Sequence, residues 1–147
     1  MKKKVLPLVL FAMMGCSDNN DEKQDDQRTM IGTWKMTKVE AYRSSTKETE
    51  MRIPTGCDAE MTNEFRSGDM TTVHFIRKNN ECVPDETVTR KYTYDPQSKK
   101  FWYEEEYDYP YIVSQLTATQ MILENNVDDI DNDGVNDLIK YYFQRIK

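Results

Sequence analysis

The sequence predicts an all-β domain, an eight-stranded antiparallel up-and-down barrel, on three observations. From Met30 onward helical periodicity is absent and Thr, Val, Ile and Tyr dominate. Turn-like breaks recur roughly every ten residues. Several segments between those breaks alternate apolar and polar side chains, the pattern of a half-buried strand. The extended segments are 31–43, 59–66, 69–78, 86–95, 99–105, 110–117, 119–126 and 137–146. A β-sandwich fits the same spacing. A barrel also removes the unpaired edges that a sandwich must protect, but spacing alone does not separate the two.

The elements follow in order. The first segment opens Met30-Ile31-Gly32-Thr33-Trp34. In the second, Met61, Asn63 and Phe65 oppose Glu60, Thr62 and Glu64, and Arg66-Ser67-Gly68-Asp69 makes a tight turn into the third. In the third, Val73 and Phe75 oppose Thr72 and His74, so His74 is expected to face outward. In the fourth, Val88, Tyr92 and Tyr94 share a face that Arg90 interrupts, and Asp95-Pro96-Gln97-Ser98 turns the chain again. The last segment, Leu138-Ile139-Lys140-Tyr141-Tyr142-Phe143, is apolar on both faces and has no clean phase. Expected interior residues are Phe65, Phe75, Tyr92, Phe101, Val113, Leu123 and Phe143, with Met36, Met61, Met70 and Met121 as core filler.

Composition bounds the rest. A chain of 147 residues suits one ordinary domain, here 30–147. Lys+Arg 20 against Asp+Glu 26 leaves −6, which argues against a general affinity for nucleic acid or anionic lipid. Five Gly and five Pro exclude a collagen-like or low-complexity chain.

The first 15 residues read as a secretory leader: Met1-Lys2-Lys3-Lys4 is basic, and residues 5–14 are an apolar run too short to span a bilayer. The sequence Met13-Met14-Gly15-Cys16 resembles the lipobox of bacterial lipoproteins, which implies cleavage before Cys16 and its acylation. Residues 17–28 (SDNNDEKQDDQR) carry neither an aliphatic nor an aromatic side chain, so 16–29 is expected to be a solvated acidic tether. An acidic stretch after the lipidated cysteine also resembles the surface-export signal of Bacteroidetes-type lipoproteins, which implies an outer-membrane, surface-exposed, lipid-anchored protein. Loss of Lys2, Lys3 and Lys4 with the leader takes the net charge from −6 to −9.

Export also bears on Cys57 and Cys82. An even pair in an oxidising compartment reads as a disulfide. In a meander, connections 44–58, 79–85, 106–109 and 127–136 fall at one end, which brings both cysteines together. With a single His and no C-x-x-C there is almost no support for zinc.

The Gly32-Thr33-Trp34 opening, the Cys57-Asp58 pair, the Phe65-Arg66-Ser67-Gly68 strand end, the second cysteine and the terminal Arg145 together resemble the lipocalin-like lipoproteins of Bacteroidetes-type bacteria, over residues 30–147. The resemblance implies that Gly32, Trp34 and Arg145 seal a closed end, the Trp packing beneath the basic side chain. It makes the cysteine-bearing end the open mouth. It implies a non-catalytic carrier of a small apolar or aromatic ligand, with Phe65, Phe75, Tyr92, Phe101, Trp102, Tyr107 and Tyr109 as candidate contacts. The alternative is an envelope interaction module with a filled barrel, binding a protein or glycan partner through its loops. A monomer is expected.

The sharpest local motif is Asp129-Ile130-Asp131-Asn132-Asp133-Gly134-Val135-Asn136-Asp137, similar to the calcium loops of EF-hands and dockerins. Alternate carboxylates converge on a hard cation while glycine permits the sharp turn. Asp129, Asp131, Asp133, the Val135 carbonyl and Asp137 are the expected ligands of a structural Ca²⁺. Lys140 stands where an EF-hand carries its bidentate Glu, so weak binding is expected, about 10⁻⁴–10⁻³ M. The bland reading is an Asp/Asn/Gly-rich turn. Catalysis finds little support: His74 stands without a nucleophile motif, and nothing sets the separation that a Glu104–Asp108 glycosidase pair requires.

Overall fold

The computed structural model describes residues 30–147; the leader, Cys16 and the tether lie outside the described residues. The elements are β1 (Gly32–Tyr42), β2 (Thr49–Arg52), a 3₁₀ turn (Gly56–Glu60), β3 (Thr62–Phe65), β4 (Asp69–Lys78), β5 (Glu81–Asp95), β6 (Lys100–Tyr103), a second 3₁₀ turn (Glu104–Glu106), β7 (Tyr111–Leu116), β8 (Gln120–Asp128) and β9 (Asp137–Arg145). All strands lie in one antiparallel sheet, and β1–β9 pairing closes the run from β1 through β3 to β9 into a ring. A sandwich of two sheets is thereby excluded.

Two features depart from the expected strands. The connection 44–58 contains β2, which pairs only with the far half of β1, Val39 opposite Arg52 through Tyr42 opposite Thr49. The near half of β1 pairs with β3, Gly32 opposite Phe65. One edge of β1 is thus shared between two short strands. Secondly, β5 starts at Glu81, so Cys82 sits in a strand and not in a loop. The β4–β5 connection is only Asn79 and Asn80, at φ 51° and 65°. Two successive left-handed residues make the tight hairpin turn that asparagine tolerates best. Pro84 lies beside a register shift where β5 has no second neighbour, and there a missing N–H costs little.

Register also sets the inner face. Phe65 pairs with Met70, and Met70 with Arg90, so these three share the interior side. Alternation from Met70 puts Thr72 and His74 inside and Val73 and Phe75 outside, the reverse of the expected phase. The apolar pair Val73/Phe75 misled because Thr72 occupies its inward place for a polar reason: its hydroxyl donates to Asn63 Oδ1 at 2.9 Å.

The core fills the ring nearest the β3–β4, β5–β6 and β7–β8 turns. Met30, Trp34, Phe65, Met70, Tyr92, Phe101, Val113, Met121 and Leu123 are buried there, and Phe143 packs against them. Phe101 is the hub, with ring centroids 5.9 Å from Phe65, 5.2 Å from Tyr92 and 5.0 Å from Tyr103. Each such ring removed from water contributes about 1.5–3 kcal/mol. β9 resolves its ambiguous phase through β1: Trp34 faces Arg145, and after a bulge at Thr37, Val39 faces Tyr141 and Ala41 faces Ile139.

Candidate functional site

One end of the ring is sealed. Trp34 is fully buried and its indole N–H donates to the Met30 carbonyl at 2.9 Å. The Arg145 guanidinium lies 4.2 Å from the Trp34 ring centroid, and it donates to the carbonyls of Ile31 and Ala118. Gly32 holds φ 143°, and a Cβ there would collide with the Arg145 guanidinium and come within 2.7 Å of the Lys147 carbonyl. The three residues expected at the closed end therefore meet in one lock between the first and last strands.

The opposite end is open. A cavity of about 520 Å³ is lined by Glu106, Tyr109, Tyr111, Asn125, Val127 and Asp128. β7 and β8 supply its wall: Tyr111 lies on the inner face with Val113, and Asn125 pairs with Ile139 on the inner face of β9. A bulge past Asn125 brings Asp128 opposite Asp137, which keeps both on the inner side. Deeper in the same wall, the Tyr111 ring stands 6.2 Å from Tyr103 and 6.0 Å from Tyr141.

Arg90 enters this wall from β5. Its guanidinium sits 3.8 Å from the Tyr103 centroid and donates to Glu106 at 2.7 Å, with Glu105 at 3.7 Å. Burial works against the Arg90 charge, but the Glu106 hydrogen bond and charge outweigh it, and the pKa lies above its ordinary value. The tyrosines move the same way for a different reason. Burial raises the Tyr103 and Tyr111 phenols, and burial followed by the charges of neighbouring groups pushes Tyr141 up to about 12. All remain neutral hydroxyls at ordinary pH.

The candidate contacts divide. Phe65, Tyr92 and Phe101 lie in the buried aromatic core, below the cavity. Tyr109 lines the cavity, and Tyr107 stands exposed on the adjoining turn. Trp102 pairs with Thr93 on the outer face and meets Tyr107 edge-on at 6.0 Å. Phe75 is on the outer face of the β4–β5 hairpin. Neither Trp102 nor Phe75 points into the ring, because each is one residue out of phase with the inward set. Sequence reasoning missed Arg90, Tyr103, Tyr111, Asn125 and Tyr141. The interruption of the Val88/Tyr92/Tyr94 face by Arg90 was the available signal.

Cys57 and Cys82 form a disulfide, with Cα atoms 5.3 Å apart. It ties the first 3₁₀ turn to the distal half of the β4–β5 hairpin, where β4 and β5 pair only with each other. In the β8–β9 loop, one carboxylate oxygen each from Asp129, Asp131 and Asp137 lies within 4.8 Å of the others. Asp137 is fully buried and accepts the backbone N–H of Ser44 at 2.8 Å and of Ile130 at 2.9 Å. Asp131 accepts the Ser45 hydroxyl at 2.5 Å, while its other oxygen is buried without a partner. Asp133 stays outside this group and accepts the Val135 N–H at 2.7 Å. The loop thus gathers three of the expected carboxylates.

A closed antiparallel ring with one end locked by Trp34 and Arg145 and the other open over a cavity defines a calyx-type β-barrel. The family model for the lipocalin-like domain matches residues 30–123, and the chain belongs to that family. Among solved structures, the odorant-binding protein from bovine nasal mucosa is similar at 12% identity, covering 81% of this chain and 72% of that one, with a TM-score of 0.43. A dog lipocalin allergen matches at 13% identity, over 78% and 72% of the two chains, with a TM-score of 0.36. Hamster aphrodisin matches at 12% identity, over 77% and 72%, with a TM-score of 0.37. The comparison with curated proteins returned no match.

Proposed function

We propose that this is a lipid-anchored protein of the cell envelope, facing outward from the outer membrane, whose barrel takes a small ligand at its open end without catalysing a reaction on it. The mouth cavity of about 520 Å³ carries this reading, since that volume suits a small organic molecule. The aromatic core beneath closes off the rest of the ring, so the ligand sits at the mouth and contacts Tyr109, Tyr111 and Asn125. Titration of the full chain with the fluorescent probe N-phenyl-1-naphthylamine tests it. Saturable binding that weakens in Tyr111→Ala is expected. A linear, unsaturable response to this probe and to a panel of lipids sinks the carrier reading.

The filled lower barrel favours a second reading, an interaction module that presents its loops to a protein or glycan partner. Exposed Tyr107 and Tyr109 on the β6–β7 connection support it.

The Asp129, Asp131 and Asp137 group supports the expectation that Ca²⁺ stiffens the β8–β9 loop. Binding in the range of about 10⁻⁴–10⁻³ M is expected by calorimetry, abolished in Asp131→Asn. Heat no greater than dilution at millimolar calcium would leave the loop a plain turn.

A further inference from the structure

We propose that the mouth cavity is selective for an organic cation, a small amine carried on a flat or apolar body, with its ammonium held between Asp128 and the Tyr111 ring. This rests on the small-ligand reading above and specifies the charge of the ligand.

Arg90 shows how this wall holds positive charge. Its guanidinium lies over the Tyr103 face at 3.8 Å and against the Glu106 carboxylate at 2.7 Å, an aromatic face paired with an acid. The cavity lining offers the same kind of pairing, a tyrosine and an acid. Tyr111 and Asp128 both line it, and Tyr141 meets Tyr111 edge-on at 6.0 Å. Among the described residues no cationic side chain reaches ion-pair distance of Asp128, because Arg90 is engaged by Glu106 and Glu105.

Charge at the rim points the same way. Glu106 and Asp128 line the opening, and Glu104, Glu105 and Asp108 lie on the same β6–β7 connection as Glu106. A concave mouth of one sign concentrates ligands of the other. An anionic ligand is disfavoured on the same grounds. It would have to displace Glu106 from a charge-assisted hydrogen bond while lying in the cavity that Asp128 lines. A neutral aromatic gains the ring contacts but leaves Asp128 without a counter-charge.

Three probes of one shape separate these cases: phenethylamine, 2-phenylethanol and phenylacetate, titrated calorimetrically into the full chain at low salt. The amine is expected to bind saturably and about tenfold tighter than the alcohol, with phenylacetate weakest. Asp128→Asn should reduce amine affinity by roughly tenfold and leave the alcohol unchanged. If that variant melts early, salt gives the same answer on the natural chain: raising it from roughly 50 to 500 mM weakens the amine severalfold and spares the alcohol. Amine and alcohol binding alike, or phenylacetate binding as tightly as the amine, overturns the cation assignment. In that event saturable N-phenyl-1-naphthylamine binding still upholds the small-ligand reading. Failure of that dye and of all three probes overturns both.

Discussion

Gly32, Trp34 and Arg145 make a single device at the sealed end. The guanidinium covers the indole and bonds two carbonyls from opposite sides of the closure, Ile31 before β1 and Ala118 between β7 and β8. Arg145→Ala should therefore cost about 2 kcal/mol in urea melts, from the lost cation–π contact and charged hydrogen bonds. Arg145→Lys should recover less than half, because an ammonium cannot reproduce the planar fork. Gly32→Ala should destabilise by a similar amount or more, since the backbone lies at φ 143° and the new methyl displaces the guanidinium. Tyr142 and Glu40 form a separate pair on the outer face of β9 and β1. The Tyr142 hydroxyl donates to Glu40 at 2.5 Å, and Lys38 lies 3.9 Å over the Tyr142 ring. The Lys38 and Tyr142 hydrogen bonds hold the Glu40 carboxyl below its ordinary value. A depressed carboxylate contributes above its unfolded pKa and is lost as pH falls through the folded one. Tyr142→Phe should therefore flatten the acid limb of the stability curve below about pH 4.5.

The β4–β5 hairpin and the β1–β3 connection depend on each other. Beyond Val73, β4 has no partner but β5, and beyond Thr62 the chain leaves β3 for the first 3₁₀ turn. A two-stranded hairpin is marginal alone. The Cys57–Cys82 bridge, separated by 25 residues in sequence, anchors it to that turn. On the chain-entropy account its loss in a Cys57→Ala/Cys82→Ala variant costs about 3–4 kcal/mol. Hydrogen exchange should then rise first in Phe75, Ile76, Val83 and their neighbours, while the Trp34 end stays protected. Uniform exchange across the ring would show instead that the bridge supports the whole barrel. This hairpin is also where strand boundaries were least legible. Asn79-Asn80 is a turn signal, but the strand resumes directly after it, five residues ahead of the expected start at 86, and Pro84 sits in it beside a bulge that tolerates what a regular ladder does not.

Across the whole molecule the tyrosines set an alkaline limit. Burial, with the charge of Asp69, pushes Tyr92 up to about 12, burial and its neighbours take Tyr141 to about 12, and Tyr103 is raised by burial as well. In the unfolded chain each titrates near 10.0. Between pH 10 and 12 the folded state thus binds more protons, so stability is full below pH 10 and falls as pH rises. Denaturant melts should show a steep loss across that window, moderated in Tyr92→Phe apart from its lost hydrogen bond to the Arg66 carbonyl. The sequence by itself determined the all-β class, the antiparallel meander, the sealing trio, the paired cysteines and most of the core. The sealing trio came from the family resemblance of Gly32-Thr33-Trp34 and Arg145, and the others are written in local alternation, turn chemistry or the count of cysteines. Only the tertiary structure decided which face of β4 and β6 looks inward, that β2 doubles the edge of β1, and that Tyr111, Asn125 and Asp128 line one cavity, with Tyr141 against Tyr111 and Arg90 over Tyr103. Those facts depend on bulges and on pairing between distant strands. One residue of slip exchanges the two faces of a strand, and no neighbouring side chain in the sequence records it.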